Sequence, residues 1–165
     1  MQVDDILETY AAVIARMAAS YAPPGAERED LEQEIALAVM KAAPRFRGDA
    51  SFKTYVYRIA QNCGIDAIKR RRQASEVLHD KVLEDERHPT TEPGPEQAAL
   101  KSEQRERLAA GIRTLPLSMR QPLVLRLEGL SYEEIAAILD LTTTTVGVRL
   151  HRATAALKKH MGRTS

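Results

Sequence analysis

Apolar side chains recur along this chain at steps of three and four, and that spacing predicts helices almost throughout. Ile6, Leu7, Tyr10, Val13, Ile14 and Met17 form one stripe, on a helix that Pro23-Pro24-Gly25 must end. Leu31, Ile35, Val39 and Met40 mark a second helix. It opens in the acidic stretch from Glu27 to Glu34, where carboxylates favour a helix N-terminus, and closes before Pro44. Ser51 is placed to cap a third, with Phe52, Tyr55, Val56, Ile59, Ala60 and Cys63 inside, running to about Arg72.

The pattern then fades. His88 to Pro95 holds three prolines, each lacking a backbone donor and fixing φ, so this stretch reads as a linker. Periodicity returns near Glu96, with Leu108, Ile112 and Leu115 as the stripe before Pro116. Ser118 and Pro122 suggest a capped helix from about Met119, with Leu123, Val124 and Leu127 inside and Gly129 at its end. Ser131 to Glu134 is a capping box opening a short helix to about Leu139. The fold class expected is all-α: two small helical domains over residues 1–73 and 101–165, joined by a flexible acidic linker over 74–100.

Ala136, Asp140 and Val146 have the spacing of a helix-turn-helix: a small residue where two helices touch, a turn residue tolerating positive φ, and an apolar anchor on the second helix. Asp stands where Gly is usual, and Asp enters the left-handed region more readily than most side chains. Thr142 or Thr143 would cap a recognition helix from about Thr144 to His160, with Val146, Leu150, Ala153 and Leu157 facing the core. Its outward face would carry Thr144, Thr145, Val148, Arg149, His151, Arg152 and Lys158, hydroxyls and bases suited to phosphates and groove edges.

Charge sharpens this picture. The net is only +1, but Lys41 to Arg72 carries nine bases against two acids, and Gln73 to Leu100 seven acids against two bases. After Asp140 come Arg149, Arg152, Lys158, Lys159 and Arg163 with no acid. Two separate polyanion-binding patches follow from that segregation. A lone cysteine, Cys63, excludes an internal disulfide and reads as a buried small hydrophobe. Asp4 and Asp5 stand where a signal peptide carries bases, and no apolar run approaches the ~20 residues of a membrane span, so no membrane insertion and a cytoplasmic location are expected. The four histidines form no metal-ligand cluster, and there is no phosphate-cradling glycine loop or nucleophile motif. No enzyme, catalytic residue, metal or cofactor is expected.

Both halves resemble the extracytoplasmic-function sigma factors, group 4 of the sigma-70 family. The matching blocks are Asp30-Leu31-Glu32-Gln33-Glu34, Phe46-Arg47-Gly48-Asp49-Ala50-Ser51-Phe52 and Tyr57-Arg58-Ile59-Ala60-Gln61-Asn62 in the first half. In the second they are Leu130 to Ala136 and Thr145-Val146 through Arg149-Leu150-His151-Arg152-Ala153. The resemblance implies a chain that binds the RNA polymerase core, at its β′ clamp and β flap, and directs promoter recognition and strand opening.

It further implies that Asp30, Leu31, Gln33 and Glu34 meet the polymerase. Phe46, Arg47, Gly48, Asp49, Ser51, Phe52, Tyr55, Arg58, Asn62, Lys69 and Arg70 would handle the −10 element, with a flipped base received near Asn62 and phosphates held also by Arg71 and Arg72. The recognition helix would dock at the −35 element, and the acidic linker would thread through the polymerase. An anti-sigma protein is an expected partner, an external one because no long C-terminal extension follows. Tyr55 replaces a frequent Trp, and Gly147 and Val148 replace a frequent base and Ser, so weaker or differently specified −35 binding is expected. A stand-alone helix-turn-helix regulator and a protein-only helical adaptor are the competing readings.

Overall fold

The computed structural model describes residues 2–48, 51–78 and 96–163. They form α1 (Val3–Tyr21), α2 (Ala26–Ala42), a 3-10 turn (Ala43–Arg45), α3 (Phe52–Leu78), α4 (Glu96–Arg113), α5 (Leu117–Leu127), α6 (Tyr132–Leu139) and α7 (Thr143–Arg163), with no strand among the described residues. The first three helices pack on one another, and α5, α6 and α7 make a second group, with α4 lying against both α1 and α7.

The first stripe behaves as read: Ile6, Ile14 and Met17 are buried against Leu31, Ile35 and Val39 of α2 and Val56 and Ala60 of α3. Ser51 caps α3, its Oγ accepting from the Thr54 N–H at 3.1 Å. The third helix runs six residues past Arg72: Gln73, Ala74 and Glu76 are good helix formers, and residues 73–76 are exposed, so propensity rather than a buried stripe carries the helix onward there. Helix also begins at Glu96, so helices enter the 74–100 stretch from both ends; the His88 to Pro95 linker reading lies outside the described residues.

Two expectations for the second half are corrected. Pro116, not Ser118, occupies the N-cap of α5, and no side chain caps that helix. Leu127 and Leu108 are 55% and 37% exposed, while Arg120, Pro122 and Leu125 are buried. The reason is that α5 has neighbours on two sides: α7 on one, and α1 and α3 on the other, where Arg120 lies over the Tyr21 ring at 5.7 Å and Gln61 Nε2 donates to the Gln121 carbonyl at 3.1 Å. A helix covered on both flanks buries more than one stripe, and Leu127, its last residue, lies outside both.

The two groups of helices therefore share a seam. Arg16 grips Glu128 with two N–H···O bonds of 2.7 and 2.9 Å. Arg28 holds Glu106 in the same forked way at 2.7 and 2.9 Å, and Arg113 adds a third bond to Glu106 at 2.9 Å. Burial pushes the Glu106 carboxyl up, but the hydrogen bonds from Arg28 and Arg113 outweigh it and hold the group below the usual carboxylate value. Arg113 also donates to the Ala19 carbonyl at 2.8 Å. At the centre the Tyr21 hydroxyl donates to Gln61 Oε1 at 2.7 Å, both residues being buried. Pairs of this kind leave no lone partner desolvated, which is the condition for a polar seam to be stable.

Candidate nucleic-acid interface

The helix-turn-helix of the second group is built from local interactions. The Ser131 Oγ accepts from the Glu134 N–H at 3.1 Å and the Glu134 carboxylate accepts from the Ser131 N–H at 2.9 Å, satisfying two donors at the start of α6. The Ser131 N–H holds the Glu134 carboxyl below its ordinary value. The turn is made by Asp140 at φ 55°, ψ 51°, the one non-glycine residue with positive φ among those described. Thr142 then caps α7, its Oγ1 accepting from the Thr145 N–H at 3.1 Å. Ala136 and Val146 are buried where α6 and α7 meet, and Leu150 and Ala153 continue that face.

Thr144, Val148, His151, Arg152 and Lys158 are consequently exposed, and Arg149 is half-buried. Thr145 is tied into the cap, its hydroxyl 2.9 Å from that of Thr142. No acid pairs with Arg149, Arg152 or Lys158 among the described residues, so this face presents open donors. Sequence reading missed its flank. Arg126 lies over the Tyr132 ring at 5.3 Å, and Tyr132, 40% exposed, borders Gly147, where an added Cβ would meet its Cε2 at 3.6 Å.

The first group differs in kind. Phe46, Phe52, Tyr55 and Tyr10 form a ring cluster, with Phe46–Phe52 centroids at 5.2 Å, Phe46–Tyr55 at 5.4 Å, Tyr10–Phe52 at 5.7 Å and Phe52–Tyr55 at 6.4 Å. Edge and tilted contacts at these separations hold rings half-buried at a surface without sealing them. Arg47 and Gly48 are exposed beside them, Gly48 at φ 80°, and Asp49 lies outside the described residues. Asn62 is exposed one face along α3. Ser51 is occupied as the α3 cap.

Several bases of α3 are engaged within the chain. Arg58 donates to the Ala137 carbonyl of α6 at 3.3 Å, and Arg70 pairs with Glu34 at 2.6 Å. Arg71 donates to the Tyr21 carbonyl and lies 3.6 Å from Glu27. Lys69 is exposed. On α2, Asp30 and Gln33 are exposed, but Leu31 is corrected: at 1% exposure it is a core residue, because it sits on the helix face turned to α1 and α3. Cys63 is half-buried, and burial together with Glu34 and Asp66 pushes its thiol up to about 11, far from a reactive thiolate.

Residues 6–74 match the family model for sigma-70 region 2, and residues 105–157 match that for sigma-70 region 4. An ECF RNA polymerase sigma-E factor of Escherichia coli K12 is 36% identical over 150 residues, covering 87% of this chain and 78% of that protein. The chain belongs to the extracytoplasmic-function sigma factors. The ECF sigma factor SigE of Mycolicibacterium smegmatis is 30% identical over 98% of this chain and 62% of its own length. In solved structures the fold is shared with the sigma factor RpoE bound to the anti-sigma factor NepR from Bartonella quintana, at a TM-score of 0.68 and 18% identity over 96% of each chain. It is shared too with CnrH bound to the cytosolic domain of CnrY, at 0.66 and 22% identity over 99% of this chain and 89% of that one.

As an extracytoplasmic-function sigma factor the protein binds RNA polymerase and directs it to promoters. Sigma factors are initiation factors without catalysis of their own. No described helix is long and apolar enough to cross a membrane, and no described cluster of His, Cys, Asp or Glu has the make-up of a metal site.

Proposed function

We propose that α7 reads the −35 element through Thr144, Thr145, Val148, Arg149, His151, Arg152 and Lys158. Phe46, Arg47, Gly48, Asp49, Ser51, Phe52, Tyr55, Arg58, Asn62, Lys69 and Arg70 engage the −10 element, where capture of an extruded base favours strand opening. The observation that carries this is the pairing of an open basic face on a capped recognition helix with a half-buried ring cluster at the start of α3, the helix that also carries the exposed Asn62. Rings offer stacking surfaces to unpaired bases at about 1–3 kcal/mol each, enough to offset the cost of extrusion. Asp30, Gln33 and Glu34 on α2 present the polar surface offered to the β′ clamp, and the second domain meets the β flap.

In this reading the seam must open. The two elements are centred about 25 base pairs apart, roughly 85 Å at 3.4 Å per pair. Two packed domains of about 70 residues, each with a radius of gyration near 11 Å, together extend only about 55 Å. Opening frees Arg58 from Ala137 as well. The closed arrangement is the form suited to an anti-sigma protein, a kind of partner that RpoE holds in its complex with NepR. The linker segment and a cytoplasmic site of action belong to the same proposal.

Run-off transcription with purified core polymerase, on a template from upstream of the protein's own gene, tests it. Specific initiation weakened by both Asn62→Ala and Arg149→Ala is the expected result. Neither core binding nor initiation at low salt would leave a stand-alone DNA binder or an adaptor.

A further inference from the structure

At one end of the seam lies a cavity of about 260 Å³ lined by Tyr21, Ile68, Arg71, Arg72, Ser75, Arg113 and Arg120. Four of those seven side chains are guanidinium groups, and none is a carboxylate. Among the described residues, the acids that touch this cluster lie outside the cavity wall: Glu27 is 3.6 Å from Arg71, and Glu106 is shared between Arg113 and Arg28. Arg120 spends its donors on the carbonyls of Arg113 at 2.7 Å and Leu115 at 3.0 Å, which fix its position without neutralising it. The buried Nε of Arg71 makes no hydrogen bond. Converging like charges in a half-buried site repel by an amount that counts, since the local dielectric is far below that of water. Burial and the neighbouring arginines act on Arg113 and Arg120 in the same direction, disfavouring their charged forms.

We infer that this cavity is a binding site for the oligophosphate group of a small molecule. Guanidinium forks match phosphate oxygens two at a time, and adjacent phosphates carry the several negative charges needed to balance four arginines. Pockets for drug-sized ligands run to about 300–1,000 Å³, so this smaller space suits a diphosphate or triphosphate unit and leaves anything attached to it in solvent. The Ser75 hydroxyl adds a neutral donor at the rim.

The site is divided between the domains. Tyr21, Ile68, Arg71, Arg72 and Ser75 come from α1 and α3, Arg113 and Arg120 from α4 and α5. It is complete only while the seam is closed, so a ligand held here stabilises the closed form increasingly as its concentration rises above its dissociation constant. On the reading that promoter engagement requires opening, such a ligand opposes initiation.

Calorimetric titration of the full chain with inorganic tripolyphosphate, at fixed ionic strength, reads the site without polymerase or promoter and so stands or falls apart from that reading. One-to-one saturable binding is expected, weakened about tenfold or more in Arg72→Gln and in Arg71→Gln, with both variants keeping the wild-type helical spectrum. Heat that tracks ionic strength without saturating, or affinity equal in wild type and both variants, would overturn the assignment.

Discussion

Two basic helices, α3 and α7, were drawn by the same sequence logic and turn out to be in opposite states. On α7, Arg152 and Lys158 stand in solvent without an acidic partner among the described residues, and the helix is set by its own cap and the turn at Asp140. On α3, Arg58 is bound to Ala137, Arg70 to Glu34 and Arg71 to Tyr21 and Glu27. The first is ready for phosphates; the second must exchange internal partners for them. On the proposed function, that difference would separate a domain that can search duplex DNA unaided from one whose DNA surface becomes available when the chain opens.

Each helix carries a glycine, and substituting them separates the two cases most sharply. At Gly64 an added Cβ would lie 2.5 Å from Cγ of Tyr21, a ring fully buried and tied through its hydroxyl to Gln61. Neither the ring nor the backbone of α3 has room to yield, so Gly64→Ala should destabilise the protein by about 3 kcal/mol. A melting temperature lower by about 10 °C checks it; an unchanged one would mean that α1 and α3 do not approach as described.

Glu106→Gln acts on the seam instead. It leaves Arg28 and Arg113 facing each other across a half-buried site and should cost about 2 kcal/mol at neutral pH. The sign with pH is fixed by the depressed carboxyl. Its contribution is present above the unfolded value near 4.3 and is lost as pH falls through the lower folded value, so the gap between wild type and variant should close below about pH 4. Urea midpoints across that range measure it, and a gap that stayed constant would show that the carboxylate's charge is irrelevant to the closed form.

The helix-turn-helix was legible because everything that makes it is local: the Ser131–Glu134 box, Asp140 and the Thr142 cap each lie within three or four residues of their partners. The ring cluster was half legible; Phe46, Phe52 and Tyr55 were singled out, but Tyr10, on the first helix, was read only as core. The seam was not legible. Gln61 and Tyr57 sit beside the counted stripe of α3, and their partners Gln121 and Glu128 are 60 and 71 residues away, a separation at which no periodicity carries information. For the same reason sequence reading gave Arg113 and Arg120 no role, although both are held in the wall of a cavity.

Salt dependence of promoter binding offers a finer comparison of the two helices. Removing a solvated base that meets a phosphate lowers the slope of log affinity against log salt by about 1, because one fewer counterion set is released. Arg152→Ala should do this, read by anisotropy on a −35 duplex between 50 and 200 mM salt. Arg70→Ala, measured on a promoter bound with polymerase, should lower the slope by less, since Glu34 already serves as its counterion in the free protein. Equal slopes would mean that the Arg70–Glu34 pair, exposed as it is, does not persist in solution.

The smallest effect belongs to Gly147 on α7, and its sign is opposite to that at Gly64. An added Cβ there meets Cε2 of Tyr132 at 3.6 Å, an ordinary van der Waals contact, and the position lies inside a regular helix where glycine costs about 0.5–1 kcal/mol relative to alanine. Gly147→Ala should therefore raise the melting temperature by about 2 °C. It adds no donor, so the salt slope of DNA binding should not move. Were the variant less stable, Tyr132 would have to be held firmly enough by Arg126, 5.3 Å away over its ring, that even a methyl in contact forces it outward. The exposed flank of the recognition helix would then be as tightly packed as the buried one at Gly64, and the contrast between the two helices would reduce to their charges.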